Sequence, residues 1–222
     1  MSEAHGTSKP IPEGRPIVPS LGRVINALNL VSSNADIEQI ELELRKDPAL
    51  SLRLFQYIHS AGFGLATPVR TYRQAVMVVG YKPLYRWLSL LLISANREPE
   101  KMELGFHAAV RGRFMENLGR EQLERSSPDD LFVTGVFSLV DRIFDHPMHL
   151  LLGTMTLPED ICDALLSRAG PYGPLLRLAE ALEQDDAGEA ERLGDELLLD
   201  PKSIGAAHKA ATEWVAQLGI GT

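Results

Sequence analysis

Asp47-Pro-Ala-Leu-Ser-Leu-Arg-Leu-Phe-Gln-Tyr-Ile-His-Ser-Ala-Gly-Phe-Gly64 reads as one helix with a marked start and a marked stop. Asp47 is placed to cap the free amides of a first turn. Pro48 suits the first helical position, where its missing N–H would have no partner anyway. Leu50, Leu54, Ile58 and Ala61 then recur on one face. Gly62-Phe-Gly64 ends the run. A strand would alternate with period two, and this stretch does not.

The same grammar extends in both directions. Before the stretch, Leu21, Val24, Ile25, Leu28 and Val31 mark one helix. Asp36 with Gln39 three residues on marks a capping box opening a second, whose stripe is Ile37, Ile40 and Leu44. After it, Thr71 and Gln74 form another capping box, leading through Val76 and Val79 to Gly80. Lys82-Pro83 starts a helix whose Leu84, Trp87, Leu88, Leu91 and Leu92 fall on one face. Leu90 and Ile93 make it apolar on most sides, so it should be central. Residues 100–118 predict a longer amphipathic helix stopped by Gly119, with Arg111 and Arg113 on its solvated face. Ser127-Pro128-Asp-Asp130 caps a helix lined by Phe132, Val136, Leu139, Val140 and Ile143. Shorter helices are expected over 157–166, 175–182 and 190–199, and a last one over 201–218 behind Asp200-Pro201.

The fold class is therefore all-α, with ten or more helices around one core. Residues 20–219 form the domain, with a main part over 20–145 and a C-terminal helical extension over 146–219. Residues 1–19, with prolines at 10, 12, 16 and 19, read as a flexible or extended lead-in.

Composition narrows the function classes. The 222 residues carry a formal net charge of −8, which argues against a nucleic-acid partner. Residues 183–200 hold eight acidic residues against Arg192 alone and supply nearly all of that charge; a solvated helix face is the expectation. No signal peptide is visible, and the most apolar stretch, Trp87 to Ile93, is too short to span a bilayer. The expectation is a cytoplasmic protein with no membrane partner. Cys162 is the single cysteine; with no basic neighbour to lower its pKa it is expected to be a buried structural residue.

Chemistry leaves few traces. Asp145, His146 and His149 have a spacing that a metal would tolerate, though a helix start at Pro147 explains them equally. There is no G-x-S-x-G elbow and no phosphate-binding glycine loop. Glu180-Ala181-Leu182 spells the tripeptide of the EAL phosphodiesterases, but forty residues after it leave no room for a barrel.

The quoted stretch also resembles the signature of HDOD domains, in which a D-P-x-L helix runs into an N-S-A-x-[FY]-G turn. Thr71-Tyr-Arg-Gln-Ala-Val-Met-Val-Val-Gly80 looks like the family's next element, and Arg86-Trp-Leu-Ser-Leu-Leu-Leu92 like the R-W-x-S-L-L-L of one subgroup. Gly135 to Asp141, Pro147-Met148 and 157–166 extend the resemblance, which covers roughly residues 15–215. In that subgroup the HDOD region follows a cyclic-di-GMP phosphodiesterase domain, and the Pro-rich start looks like the linker between the two. His59 departs from the pattern, standing where the family has Asn.

The resemblance implies a helical bundle similar to the HD phosphohydrolases but without their metal ligands. This sequence has no His-Asp dipeptide. It implies no catalytic residue, metal or cofactor, and a regulatory module in bacterial signalling that works by protein contact. The partner would be a signalling protein, such as a cyclic-di-GMP phosphodiesterase or another regulator. Asp47, His59 and Ser60 are the candidate cleft residues. Two other readings remain open: a divergent metal-dependent phosphohydrolase, and a nucleotide sensor using Arg111 and Arg113 for a phosphate.

Overall fold

The structure, a computed structural model, describes residues 19–58, 69, 71–96, 98–122 and 127–218. Among these residues the chain forms thirteen helices and no strand. The first five are α1 (Pro19–Ser32), α2 (Ile37–Arg45), α3 (Pro48–Ile58), α4 (Tyr72–Val79) and α5 (Tyr81–Ile93). The Asp47 carboxylate accepts from the Leu50 N–H at 3.1 Å, as an N-cap of α3 should. Thr71 caps α4 in the same way, accepting from the Gln74 N–H at 3.2 Å. Asp36 precedes α2 but makes no side-chain capping bond. Between α4 and α5 the chain turns by 103° at Gly80, whose φ of +78° a side chain would resist. No single described helix is long and apolar enough to cross a membrane.

The centre of the molecule is α6 (Pro99–Gln122), packed against α5 and most extensively against α7 (Pro128–Phe137). This helix runs through Gly119 where a stop was expected. Glycine is there for contact: a Cβ on Gly119 would collide with Leu131, and one on Gly112 would lie 2.6 Å from the Phe132 carbonyl oxygen. From the other side, a Cβ on Gly135 would run into the backbone of Arg111 and Gly112. The two helices thus touch backbone to backbone, a closer approach than side chains permit.

The single helix expected from Phe132 to Ile143 is two, α7 and α8 (Val140–Phe144). The Ser138 hydroxyl donates to the Gly135 carbonyl at 2.7 Å and takes the acceptor that a continuing helix would need. Next come α9 (Met148–Leu152), α10 (Glu159–Ser167), α11 (Gly173–Glu183), α12 (Ala187–Glu196) and α13 (Pro201–Leu218). The twelfth starts and ends three residues earlier than the apolar pattern suggested. Leu198 turns left-handed at φ +56°, and the Leu199 N–H returns to the Gly194 carbonyl at 2.8 Å. Pro201 disfavours a helical Asp200 and so helps to end α12 here. Helices α11 and α13 lie on the side of α6 away from its glycine seam and close the core there.

Candidate functional site

Of the residues expected to line a cleft, Asp47 is the described one; His59 and Ser60 lie outside the described residues. Asp47 borders a hollow of about 180 Å³ between α1, α3 and α5, beside Leu21, Arg53 and Leu91. Its capping bond to Leu50 gives it a structural task there.

Arg111 and Arg113 overturn the expectation of a solvated face. Arg111 is buried, with 5% of its surface exposed. Its Nε and Nη2 donate to the two carboxylate oxygens of Glu183 at 2.8 and 2.9 Å, and Nη1 to Glu180 at 3.1 Å and Ser138 at 3.2 Å. Glu180 also accepts from Arg168 Nη2 at 2.8 Å. Glu183 and Glu180 therefore belong to a half-buried knot joining α6, α11 and the end of α10. They are neither part of a solvated acidic face nor a catalytic tripeptide. Burial pushes the Glu183 carboxyl up, but the hydrogen bonds and charge of Arg111, helped by His107, outweigh it and hold the pKa below the ordinary 4.5.

A second knot was not foreseen. Glu116, fully buried, accepts from both Nη atoms of Arg86 at 2.7 Å and from Arg113 Nη1 at 2.8 Å. The Arg86 guanidinium also lies over the Phe132 ring, 4.1 Å from its centroid, and that of Arg113 lies 5.1 Å from the Trp214 centroid. Asp129, one of the helix-start acids, adds a contact to Arg86 at 3.5 Å. Burial raises the Glu116 pKa, and the two arginines lower it further than that, to below 4.5. Arg111 is not open to a phosphate, because its guanidinium already holds two carboxylates, whereas Arg113 gives Glu116 a single bond and keeps its buried Nε without a partner.

Beside Arg111 the packing of α6 on α11 and α13 leaves a cavity of about 260 Å³. Phe106, Val110, Ala179 and Leu182 wall it, and His107, His208 and Thr212 add polar edges. His107 and Glu183 also face an outer chamber of about 520 Å³ on the α8 side, which Glu103, Lys101 and Asp145 line.

Asp145, His146 and His149 do not converge. Asp145 accepts from Lys101 Nζ at 2.5 Å, His146 Nδ1 sits 2.7 Å from the Phe144 carbonyl, and His149 is exposed. Among the described residues no group of three or more His, Cys, Asp or Glu is placed to hold a metal. Cys162 is half-buried where full burial was expected; burial, then Asp163 and Glu159, push its thiol up and away from nucleophilic use.

Residues 16–143 match the HDOD domain family, more than half of the chain. The chain belongs to the HDOD family. Two curated proteins are similar to this HDOD chain. An uncharacterized protein, YuxH, from Bacillus subtilis is 23% identical over 192 residues, 85% of this chain and 46% of that protein. The cyclic di-GMP phosphodiesterase CdgJ from Vibrio cholerae is 26% identical over 179 residues, 81% of this chain and 41% of that one. The HDOD chain thus spans less than half the length of the curated relatives it matches. No solved structure matches it. Both knots lie on α6, which falls wholly in the matched region together with Arg86 and Phe132, whereas Glu180, Glu183 and Trp214 fall beyond it.

Proposed function

We propose that this chain is a non-catalytic regulatory output module of bacterial signal transduction, acting in the cytoplasm by contact with another signalling protein. The observation that carries the reading is the mutual pairing of the charges at the two knots. Arg86, Arg111, Arg113, Glu116, Glu180 and Glu183, on and beside the central helix, hold one another in ion pairs. A general acid, base or phosphate clamp needs a group free to change partners during turnover. These groups set the shape of a scaffold instead.

The relative from Vibrio supports the kind of partner. It is named a cyclic di-GMP phosphodiesterase, and this chain matches less than half of it. The sequence resemblance assigns the phosphodiesterase barrel to the other part. A cyclic-di-GMP phosphodiesterase domain, in the same polypeptide or a separate one, is therefore the partner we favour.

Two measurements on the purified chain test this. Elemental analysis with hydrolysis assays on cyclic di-GMP and bis(p-nitrophenyl) phosphate, in added Mn²⁺ or Mg²⁺, should show no turnover. Titrating the chain into a cyclic-di-GMP phosphodiesterase from the same organism should change that enzyme's kcat/KM. Metal-dependent turnover by the chain alone, abolished in Asp145→Ala or His146→Ala, would overturn the non-catalytic reading.

A further inference from the structure

The double cavity beside Arg111 has no part in the contact role proposed above, and its chemistry is specific. The inner chamber, about 260 Å³, is walled chiefly by Phe106, Val110, Ala179 and Leu182. Apolar cavities of about 150 Å³ already admit benzene, so this one has room for a fused bicyclic ring. Its floor offers an anion nothing, because the Arg111 guanidinium is already bound by Glu183 at 2.8 Å and Glu180 at 3.1 Å. His107 and Glu183 line both this chamber and the outer one of about 520 Å³. There Glu100, Glu103, Asp145 and Glu183 outnumber Lys101 and Arg142. Lys101 is engaged by Asp145 at 2.5 Å and by the Arg142 carbonyl, also at 2.5 Å. Glu103 is 75% exposed at its side chain, 4.0 Å from His107, and hydrated enough to meet a cation at little desolvation cost.

An apolar chamber of ring size behind an acidic antechamber fits an amphipathic cation. We propose that the α6–α11–α13 junction binds a small aromatic amine, with its bicyclic ring between Phe106 and Leu182 and its ammonium group at the outer chamber near Glu103. Such a site would give the module a small-molecule input, carried jointly by α6 and the C-terminal helices α11 and α13. Binding to the folded state alone would stabilise it by linkage.

The test uses the full chain and three probes that share one ring and differ in charge: tryptamine, indole and indole-3-acetate. Calorimetry and thermal shift should rank them in that order, with tryptamine roughly fivefold tighter than indole, the scale of one hydrated ion pair. Raising the salt should erase that margin. Glu103→Gln should bring tryptamine down to the affinity of indole and leave indole unchanged. Ala179→Phe, which fills the inner chamber from α11, should abolish binding of all three. Thr212→Phe, entering from the half-buried wall on α13, should do the same, so a folding failure of one variant leaves the other to decide. No response to tryptamine, equal binding of the three probes, or binding that survives the filled chamber would each overturn the proposal. None of these results depends on whether the chain regulates a phosphodiesterase.

Discussion

Against α7, helix α6 is packed backbone to backbone through Gly112 and Gly135, with Gly119 under the Leu131 side chain; against α11 and α13 it is packed through long side chains and leaves a cavity of about 260 Å³. The ionic knots are built alike on both faces: one buried group, Glu116 or Arg111, is shared by two partners that keep about a fifth to a quarter of their side-chain surface in water. Close glycine packing fixes a register and admits no alternative, because interiors of that density resist even one added methyl group. The side-chain-mediated face can separate and rehydrate at lower cost. The rigid frame therefore lies mainly in the HDOD-matched region, and the C-terminal helices are held by contacts that can be exchanged, the property expected of the elements that respond to a partner or ligand.

The largest break in this comparison should come from Glu116→Ala. It takes from the half-buried Arg86 and Arg113 their shared carboxylate and empties a fully buried position, and a loss of roughly 3–4 kcal/mol in urea unfolding is expected. Acid should act on the same group. The folded pKa of Glu116 is held below its ordinary 4.5 despite burial, so its contribution to stability is present above that value and lost as the pH falls through the folded one. Glu183 has the same sign. Stability measured from pH 7 downward should therefore drop below about pH 4.3, the ordinary glutamate range, and Glu116→Gln should flatten that slope. A slope unchanged by Glu116→Gln would place the acid sensitivity elsewhere.

Gly135→Ala tests the seam without touching a charge. The added carbon meets backbone on α6, which cannot swing aside, and about 3 kcal/mol should be lost. Arg111→Ala should cost less, about 2 kcal/mol, since the half-buried glutamates it releases can turn to water and Arg168 still holds Glu180. Its signature should be local. Hydrogen exchange should quicken in α11 to α13 and stay unchanged in α1 to α5. Uniform acceleration would show that the two faces of α6 are one cooperative unit.

Most of the helices were legible because their starts carry local chemistry: Asp47 and Thr71 cap as their positions in the sequence require. What failed to read were positions whose role is set by another helix. Gly119 looks like a stop until Leu131 is found against it. The spacing of Gly105, Gly112 and Gly119, one every seven residues, was the available signal for a helix seam, and the sequence reading passed over it. Arg111 and Arg113 looked solvated because their carboxylates are supplied by α11 and by an unremarked Glu116 in the same helix. The Arg86-Trp87 motif was read as family resemblance alone, and its physical task, holding Glu116, shows only in three dimensions. Of the cleft residues, Asp47 proves to be a cap, while the surroundings that would define His59 and Ser60 lie outside the described residues.

The smallest effect, with the opposite sign, is expected in the loose layer. Three residues there follow helices in the left-handed region, Arg168 at φ +57°, Asp185 at φ +55° and Leu198 at φ +56°, and the first and last make a contrasting pair. Arg168 repays the strain, since its guanidinium binds Glu180 and its Nη1 donates to the Leu165 carbonyl at 2.6 Å. Leu198 is 87% exposed, and its side chain offsets nothing comparable. Leu198→Gly relieves a conformation that costs an L residue roughly 1 kcal/mol, and keeps the backbone bonds that close α12. Part of the gain is returned through the greater freedom of an unfolded glycine, so about 0.5 kcal/mol of added stability should remain. Arg168→Gly relieves the same backbone strain but severs the link to α11, and should destabilise. If both glycine variants gained stability alike, the Arg168–Glu180 pair would contribute nothing, and the C-terminal layer would be held by its apolar contacts alone.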